Sequence, residues 1–180
     1  MDFVLTEEQK LLQDSLRRFA TDEVRENALR WDKDEEYPVH TVKALGEMGM
    51  LGVAVPEKWG GAEMGYAALC VGLEELARQD GGLAFSVSSH NSPCLSHLIA
   101  AGSEEQKQKW LPRLAIGETL GAWALTEPSG GSNARSLYVN AKKDDSDTWV
   151  LNGRKSFISN GTVADIFIVL AVTDAKSDHH

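Results

Sequence analysis

The sequence predicts an α+β fold, with an N-terminal all-α helical domain followed by the start of an antiparallel β-domain. Two observations support this fold class. Up to about residue 118, apolar residues recur at the spacing of one helix face. After Gly117 the period changes to alternation, with Leu137, Val139 and Ala141 on one face of a strand. We therefore expect a helical domain over residues 1–118 and a partial β-domain over residues 119–180.

Five helices are predicted in the first domain, each from an apolar stripe and a boundary signal. Thr6 followed by two glutamates is typical of a helix start, because a hydroxyl caps free amides and acids suit the positive helix end. Ser103 and Gln106 have the spacing of a capping box. The charged run at 32–36 predicts a solvated loop, and the weakly charged stretch 83–101 predicts one continuous helix. The five helices should begin near Thr6, Pro38, Tyr66, Leu83 and Ser103.

The second domain is predicted to contain short strands joined by turns. An apolar run at 120–125 comes first, and the alternating strand around Val139 follows it. Residues 144–147 predict a turn and residues 148–151 the next strand. Asn152-Gly153 then favours a hairpin whose return strand covers residues 154–158. The continuous apolar run at 165–172 predicts a buried strand.

The composition excludes several classes of partner. The chain has 180 residues, a net charge of −9 and a pI of about 5.0, which argues against nucleic acid and against an anionic membrane surface. The sequence has no run of about 18 apolar residues that would predict a membrane-spanning helix, and we expect no signal peptide at Met1. Cys70 and Cys94 lie in apolar helical stretches, which predicts buried free thiols in a reducing, cytoplasmic compartment.

One loop is a candidate binding site. Residues 123–133 begin as an apolar run, and residues 129–132 are all Ser or Gly. Such a backbone can turn tightly so that several amides converge on one acceptor, while Thr126 and Ser132 add hydroxyl donors. The alternative interpretation is a polar surface loop between two domains. Residues 156–161 repeat the pattern of an aromatic, an apolar residue, a hydroxyl and a turn, which favours a binding site.

Other candidate sites are weaker. His90, Cys94 and His97 share one helix face at a spacing that suits zinc, but Pro93 would disturb that helix and a fourth ligand is not evident, so helix packing is preferred. The sequence has no dinucleotide-binding glycine fingerprint and no nucleophile elbow. Glu127, inside the candidate loop, is interpreted as structural. We therefore predict no metal site and no catalytic residue in this chain.

Four motifs, in order along the chain, carry a family resemblance. They are Val55-Pro56-Glu57 with Gly60-Gly61, Gly102-Ser103-Glu104-Glu105-Gln106-Lys107, Thr126-Glu127-Pro128 with Gly131-Ser132, and Phe157-Ile158-Ser159-Asn160-Gly161. With them the chain resembles the acyl-CoA dehydrogenases over nearly its whole length. The resemblance implies a substrate contact at Ser132, with acyl-CoA as the substrate. It also implies FAD as the cofactor, bound by Trp123, Ala124, Leu125, Thr126, Gly131, Ser132, Phe157, Ile158 and Ser159.

The resemblance implies an activity that this chain alone should not complete. Family members remove hydrogen from the α and β carbons of an acyl-CoA thioester and pass electrons to an electron-transfer flavoprotein, and we expect a homo-oligomer. The resemblance implies that their catalytic base lies in a C-terminal helical domain, and we expect residues 1–180 to lack it. Asn133 stands where the family usually has Asp, and Phe157 where many members have Trp. Two alternatives stay open: a non-catalytic truncated or divergent relative that acts as a binding or assembly module, and a flavin acyl-CoA oxidase.

Overall fold

Helices form the N-terminal part of the chain and short strands follow them. The computed structural model describes residues 4–174. The helices are α1 (Glu7–Phe19), α2 (Ala28–Asp34), α3 (Val39–Glu47), α4 (Gly65–Ala77), α5 (Gly81–Ser89), α6 (Ser96–Ala101) and α7 (Glu104–Ala115). The strands are β1 (Gly121–Ala124), β2 (Asn140–Lys143), β3 (Trp149–Asn152) and β4 (Ile166–Val169). The predicted α+β class, with helices before strands, is confirmed.

Side-chain caps hold two of the predicted helix starts, at Thr6 and Ser103. Thr6 Oγ1 accepts a hydrogen bond from Gln9 N at 3.2 Å, and Gln9 Oε1 accepts one from Thr6 N at 3.1 Å. Ser103 and Gln106 make the same reciprocal pair at the start of α7, at 3.2 and 2.8 Å. Each pair satisfies amides that have no partner inside the helix. The helix start at Thr6 and the capping box at Ser103 are therefore confirmed.

The charged run at 32–36 is not the predicted loop. Its first three residues form the last turn of α2, and Glu35 then ends the helix with a φ of 53°. Trp31 supplies the reason, because its side chain is only 7% exposed and packs in the helical core. Most of a short helix's stability comes from such tertiary packing rather than from the helix preference of its residues.

The predicted continuous helix over 83–101 is interrupted. α5 passes into a π-helical segment, His90–Leu95, before α6 begins. Pro93 lies inside this segment, where its missing N–H and its ring disturb the regular hydrogen-bond ladder. The π-helical segment packs against β1, so it joins the helical part of the chain to the strands.

Two apolar clusters hold the fold together. The first lies among α1, α3, α4 and α5, and burying each large side chain in it contributes about 1.5–3 kcal/mol. Its fully buried members include Leu16, Leu45, Met50, Leu51 and Leu76. The second cluster joins α7 and the π-helical segment to the strands, with Trp123 and Ile168 partly buried against it. This second cluster positions β1 and β4 beside the helices.

The described strands form two separate pairs. β2 and β3 are antiparallel, with Asn140 opposite Asn152, and the predicted turn at 144–147 connects them. β1 and β4 are parallel, with Gly121 opposite Ile166. Val139, just before β2, is buried and so is Ala141, as the alternating pattern predicts.

The predicted return strand at 154–158 is wrong. These residues form no strand, and Asn152-Gly153 ends β3 without turning a hairpin. Gly153 packs so closely on Val139 that a Cβ atom there would lie 2.5 Å from Val139 Cγ2. Phe157 has a φ of 57°, which lies outside the region that a strand requires. The segment instead runs beside the loop that follows β1.

Solvent exposure corrects two further predictions. β4 is not a buried strand, since Phe167 and Val169 on one face are 43% and 37% exposed. Cys94 is a buried free thiol as predicted, but Cys70 is a free thiol on the exposed side of α4. No helix within residues 4–174 combines the length and the apolar character that a membrane crossing needs.

Candidate functional site

The loop after β1 is a tight turn held by its own backbone. Glu127 N donates to Gly130 O at 2.9 Å, and Gly130 N donates to Glu127 O at 3.0 Å. Pro128 and Ser129 occupy the two central positions, and the fixed φ of proline suits the first of them. The chain therefore reverses immediately after Thr126.

Gly131 allows the loop to return against Thr126. A Cβ atom at Gly131 would lie 2.9 Å from Thr126 Oγ1 and 3.1 Å from its Cγ2. Because glycine has no side chain, the backbone of the loop can contact the threonine directly. Gly131 thus supports Thr126 without itself lining the cleft that Thr126 faces.

The two predicted cofactor segments open onto one cleft of about 260 Å³. The segment from β1 contributes Trp123, Leu125 and Thr126, and the later segment contributes Phe157, Ile158 and Ser159. The remaining wall comes from α5 and the π-helical segment, with Phe85, Ser88, Ser89, Ser92 and Pro93. The structure therefore brings together side chains that are 30 or more positions apart in the sequence, as the bond from Lys155 to Leu125 illustrates.

The helical wall of this cleft was not predicted from the sequence. Ser88, Ser89 and Ser92 add hydroxyl groups beside the apolar surfaces of Phe85 and Pro93. A signal was present in the sequence, because serines three and four positions apart lie on the same face of a helix. A serine-rich face on a helix with little charge is therefore the pattern that would have predicted this wall.

Three of the predicted site residues do not line the cleft. Ala124 is only 3% exposed within β1, Gly131 lies behind Thr126, and Ser132 is exposed on the loop. Asn133 uses its side chain locally: its Oδ1 accepts from Arg135 N at 3.2 Å, and its Nδ2 donates to Ser136 Oγ at 2.8 Å. This Asn therefore forms a turn.

Phe157 is held in an unusual exposed conformation. Its side chain is 95% exposed, and its φ of 57° lies in the left-handed region. Few bulky residues adopt that region, and such backbone strain clusters at ligand sites. Phe157 is therefore not a core residue of the predicted strand 154–158, and its ring is free to act as an apolar platform at the rim of the cleft.

Trp123 contributes a buried donor at the same site. Its indole Nε1 is buried, and no acceptor for it lies within the described part of the chain. Its ring centroid lies 5.6 Å from that of His97. An unsatisfied buried N–H costs about 1–3 kcal/mol, so an acceptor brought by a ligand would be stabilising. Hydroxyls, an orphan N–H and aromatic faces together fit a flat heterocyclic ligand with polar edges.

Glu127 is buried and fully engaged. Its carboxylate accepts hydrogen bonds from Tyr138 N at 2.7 Å, Val139 N at 2.9 Å and Lys155 Nζ at 2.9 Å. Burial raises the pKa of this carboxyl, but the hydrogen bonds from Val139, Tyr138 and Lys155 together outweigh burial and leave the pKa lowered. Glu127 therefore stays ionised and occupied, which supports its interpretation as a structural residue.

Asn160 fixes the end of the second segment. Its Nδ2 donates to Ser86 O at 3.1 Å and to Gly121 O at 3.2 Å, so one side chain ties the segment to α5 and to β1. Its φ of 63° is one that asparagine tolerates better than most residues. The side-chain amide thereby determines where Phe157 and Ser159 lie relative to the helices.

The histidines of the considered zinc site have other partners. His90 is fully buried, its Nδ1 accepts from Gly121 N at 3.0 Å, and its Nε2 lies 3.2 Å from Leu114 O. His97 Nδ1 lies 2.6 Å from Pro93 O. Within residues 4–174 no group of three or more His, Cys, Asp or Glu side chains is placed to hold a metal ion. His90 instead connects α7 to β1.

A larger cleft, of about 490 Å³, lies away from these residues. Four carboxylates line it, from Asp32, Glu35, Glu36 and Asp80. Asp80 already caps α5, since its Oδ1 accepts from Leu83 N at 2.7 Å. So much negative charge disfavours an anionic ligand, and the smaller cleft remains the candidate site.

Comparisons with known proteins agree with this architecture. The family model for the acyl-CoA dehydrogenase N-terminal domain matches residues 6–118, and the model for the middle domain of the same family matches residues 122–180. A short-chain specific acyl-CoA dehydrogenase of Clostridium acetobutylicum is 41% identical over 174 residues, which is 97% of this chain and 46% of that protein. The chain thus spans about half the length of this curated relative.

Solved structures give the same result. Butyryl-CoA dehydrogenase from Megasphaera elsdenii superposes with a TM-score of 0.91 at 36% identity, covering 97% of this chain and 46% of that one. An acyl-CoA dehydrogenase from Bacillus anthracis, solved in complex with FAD, superposes with a TM-score of 0.88 at 36% identity, covering 94% of this chain and 29% of that one. Sequence and fold agree over nearly all of this chain, which therefore belongs to the acyl-CoA dehydrogenase family.

Proposed function

We propose that this chain provides one side of the FAD site of an acyl-CoA dehydrogenase. The observation that carries the proposal is the cleft where Thr126 and Leu125 face Phe157, Ile158 and Ser159. We further propose that residues 1–118 and 119–180 act as the helical domain and the partial middle domain of such an enzyme. The complete reaction would be α,β-dehydrogenation of an acyl-CoA thioester, with electrons passed to an electron-transfer flavoprotein.

The side chains of the cleft divide the binding task. The Thr126 and Ser159 hydroxyls and the Trp123 Nε1–H would hydrogen-bond polar edges of the flavin, and Ile158 and the Phe157 ring would pack on its apolar surface. The chemistry that bound FAD supplies is acceptance of a hydride. Helix α5 and its serines would exclude bulk water from the same side.

Removal of the substrate's α-proton is not a task for the described residues. None of the described residues that line the cleft, which fall between positions 85 and 159, carries a carboxylate. Glu127 is close in sequence, but its oxygens already accept three hydrogen bonds. We therefore propose that another part of the complete protein supplies the base, as the family resemblance implies.

The outer part of the loop is proposed to face the substrate. Ser132 is exposed beyond the turn, where a hydroxyl can reach a ligand that does not enter the cleft. We assign it to acyl-CoA contact. We also propose that the protein is a homo-oligomer. A cytoplasmic location is proposed because both cysteines are free thiols, which suits a reducing compartment.

Titration of the purified protein with FAD tests the proposed cofactor site. Added FAD should quench tryptophan fluorescence saturably, because Trp123 lines the cleft. Thr126→Val should weaken FAD binding about 2- to 10-fold, the effect of losing one hydrogen bond. Thr173→Val is the matched control, because Thr173 is exposed and does not line the cleft. No saturable FAD binding, or equal effects of the two variants, would contradict the assignment.

A second candidate function follows from the missing carboxylate. A cleft without a base can belong to a non-catalytic binding or assembly module. Bound flavin distinguishes that module from an enzyme portion, because only the enzyme portion should bind FAD saturably. A hydrogen peroxide assay distinguishes an acyl-CoA oxidase from a dehydrogenase, because an oxidase would release peroxide when the complete polypeptide turns over.

A further inference from the structure

Lys155 is a largely buried lysine between the two segments that line the cleft. Its side chain is 11% exposed, and that of its partner Glu127 is 2% exposed. Lys155 Nζ donates to Glu127 Oε1 at 2.9 Å and to Leu125 O at 2.8 Å. The Lys155 ammonium therefore bonds two residues, Leu125 and Glu127, of the segment that follows β1.

The contacts of Lys155 lie beside the residues assigned to the cofactor. Leu125 precedes Thr126, and Lys155 lies two positions before Phe157. Ser156 N donates to Thr126 O at 2.9 Å, which adds a backbone bond next to the ammonium contacts. The two segments are thus joined at consecutive positions, at Leu125 and Thr126, which both line the cleft.

Glu127 extends the connection to a third segment. The two backbone amides that it accepts, Tyr138 N and Val139 N, lead into β2. The carboxylate thus anchors the lysine to a strand outside both walls. A shift of one residue along either segment would break the contacts to Leu125 and Glu127 together.

We infer that Lys155 and Glu127 form a positioning clamp that sets the separation and register of the two cofactor-lining segments. The inference rests on the proposed FAD site for its functional meaning. Removing one partner of a buried pair leaves the other charge uncompensated, so local loosening is the expected result. The clamp acts on the cofactor through Thr126 and Phe157, without touching the ligand.

Lys155→Met tests the clamp, because methionine keeps an unbranched apolar stem and removes the ammonium. Hydrogen exchange of the Ser156 amide should accelerate by about tenfold or more while amides of α1 and α4 keep their protection. FAD affinity should fall by about tenfold, because FAD binding would then have to order the two segments that Lys155 already holds together in the wild-type protein. Lys155→Arg should recover most of the Ser156 protection and most of the FAD affinity, since a guanidinium group can donate to Leu125 O and to the Glu127 carboxylate.

Lys143→Met is the matched control. Lys143 pairs with Asp147 on the exposed hairpin of β2 and β3, outside the cleft. The Lys143→Met variant should change neither the hydrogen exchange of the Ser156 amide nor the affinity for FAD. If Lys155→Met also lowers the protection of the helical amides, the variant has loosened the whole fold, and Ser156 exchange is measured in Glu127→Gln instead. That variant keeps the size of the side chain and weakens the ion pair, so Ser156 exchange should still accelerate.

The outcomes separate the clamp from the proposed function. Unchanged Ser156 exchange in both Lys155→Met and Glu127→Gln would overturn the clamp, whatever happens to FAD binding. Equal effects of Lys155→Met and Lys143→Met would also overturn it. A wild-type protein that does not bind FAD would contradict the proposed function, while Ser156 exchange would still decide whether Lys155 holds the two segments.

Discussion

Tyr37 and Asn160 lie 123 positions apart in the chain, yet the Tyr37 hydroxyl donates a hydrogen bond to Asn160 Oδ1 at 3.1 Å. Asn160 ends the segment that carries Phe157, and Tyr37 follows α2. Burial raises the pKa of Tyr37 to about 12, although a hydrogen bond with Ser86 acts in the opposite direction. The hydroxyl therefore remains a donor throughout the physiological range and links the candidate site to the helical part of the chain.

Tyr37→Phe should destabilise the protein by about 1 kcal/mol, because Asn160 Oδ1 loses its donor while the aromatic packing is kept. Urea unfolding followed by circular dichroism measures the change. Tyr66→Phe is the control, because Tyr66 is 53% exposed on α4. Equal changes in the two variants would show that the Tyr37 bond contributes no net stability.

His90 should make stability depend on pH. Burial lowers the pKa of His90 to about 4 from an ordinary value of 6.5, although backbone hydrogen bonds at Leu114 and Leu51 act in the opposite direction. Above pH 6.5 the imidazole is neutral in both states and its full contribution is present. Between pH 6.5 and 4 the unfolded chain binds the proton first, so the free energy of unfolding falls as pH falls, by roughly 3 kcal/mol in total.

The measurement is the difference in pH dependence between the wild-type protein and His90→Gln. The variant should lose the part of the slope that lies between pH 6.5 and 4, while slopes from carboxylates remain in both proteins. Retention of the full slope in His90→Gln would show that the buried imidazole does not cause it.

The 180-residue chain, tested alone, should not turn over acyl-CoA. A positioned base typically contributes about 10²–10⁴-fold to a rate, and none of the described residues that line the candidate cofactor cleft is a carboxylate. The measurement is acyl-CoA oxidation with an artificial electron acceptor, together with the visible spectrum of the protein. Stoichiometric flavin with steady turnover would contradict this prediction and would require a base within these residues.

The open face of β4 should promote self-association. Phe167 and Val169 expose apolar surface on a strand that pairs, among the described residues, only with β1. Phe167→Lys should therefore lower the average mass measured by sedimentation, because charge on an edge strand opposes pairing. Phe85→Lys serves as the control, since Phe85 is 63% exposed but lies on α5. Equal effects would assign the association to general apolar exposure.

The sequence predicted the features that local chemistry determines. Thr6 and Ser103 cap helices through bonds that span three positions, so their geometry follows from neighbouring residues alone. The candidate loop turns tightly, as its Ser and Gly residues predict, although the bonds that close the turn join Glu127 and Gly130. These features needed no knowledge of the rest of the fold.

Features that depend on distant contacts were not predicted. α2 forms because Trp31 finds a place in the core, and residues 154–158 leave the strand conformation because Lys155 reaches Glu127 and Asn160 reaches Ser86. The serine wall of the cleft was missed for the same reason. A helix face becomes a binding wall only when another segment packs opposite it.

The parallel pairing of β1 with β4 determines the order in which this molecule can fold. Leu120 and Asp165, which flank the pair, are 45 positions apart, so closing this sheet costs more chain entropy than forming each single helix, whose internal hydrogen bonds are local. Each of the helices α1 to α7 can thus form before β1 has a partner. The ligand cleft needs Trp123 on β1 and Phe157 in the segment between β3 and β4, so it should be among the last parts to form during synthesis. Its walls should also be among the first to separate when the protein begins to unfold.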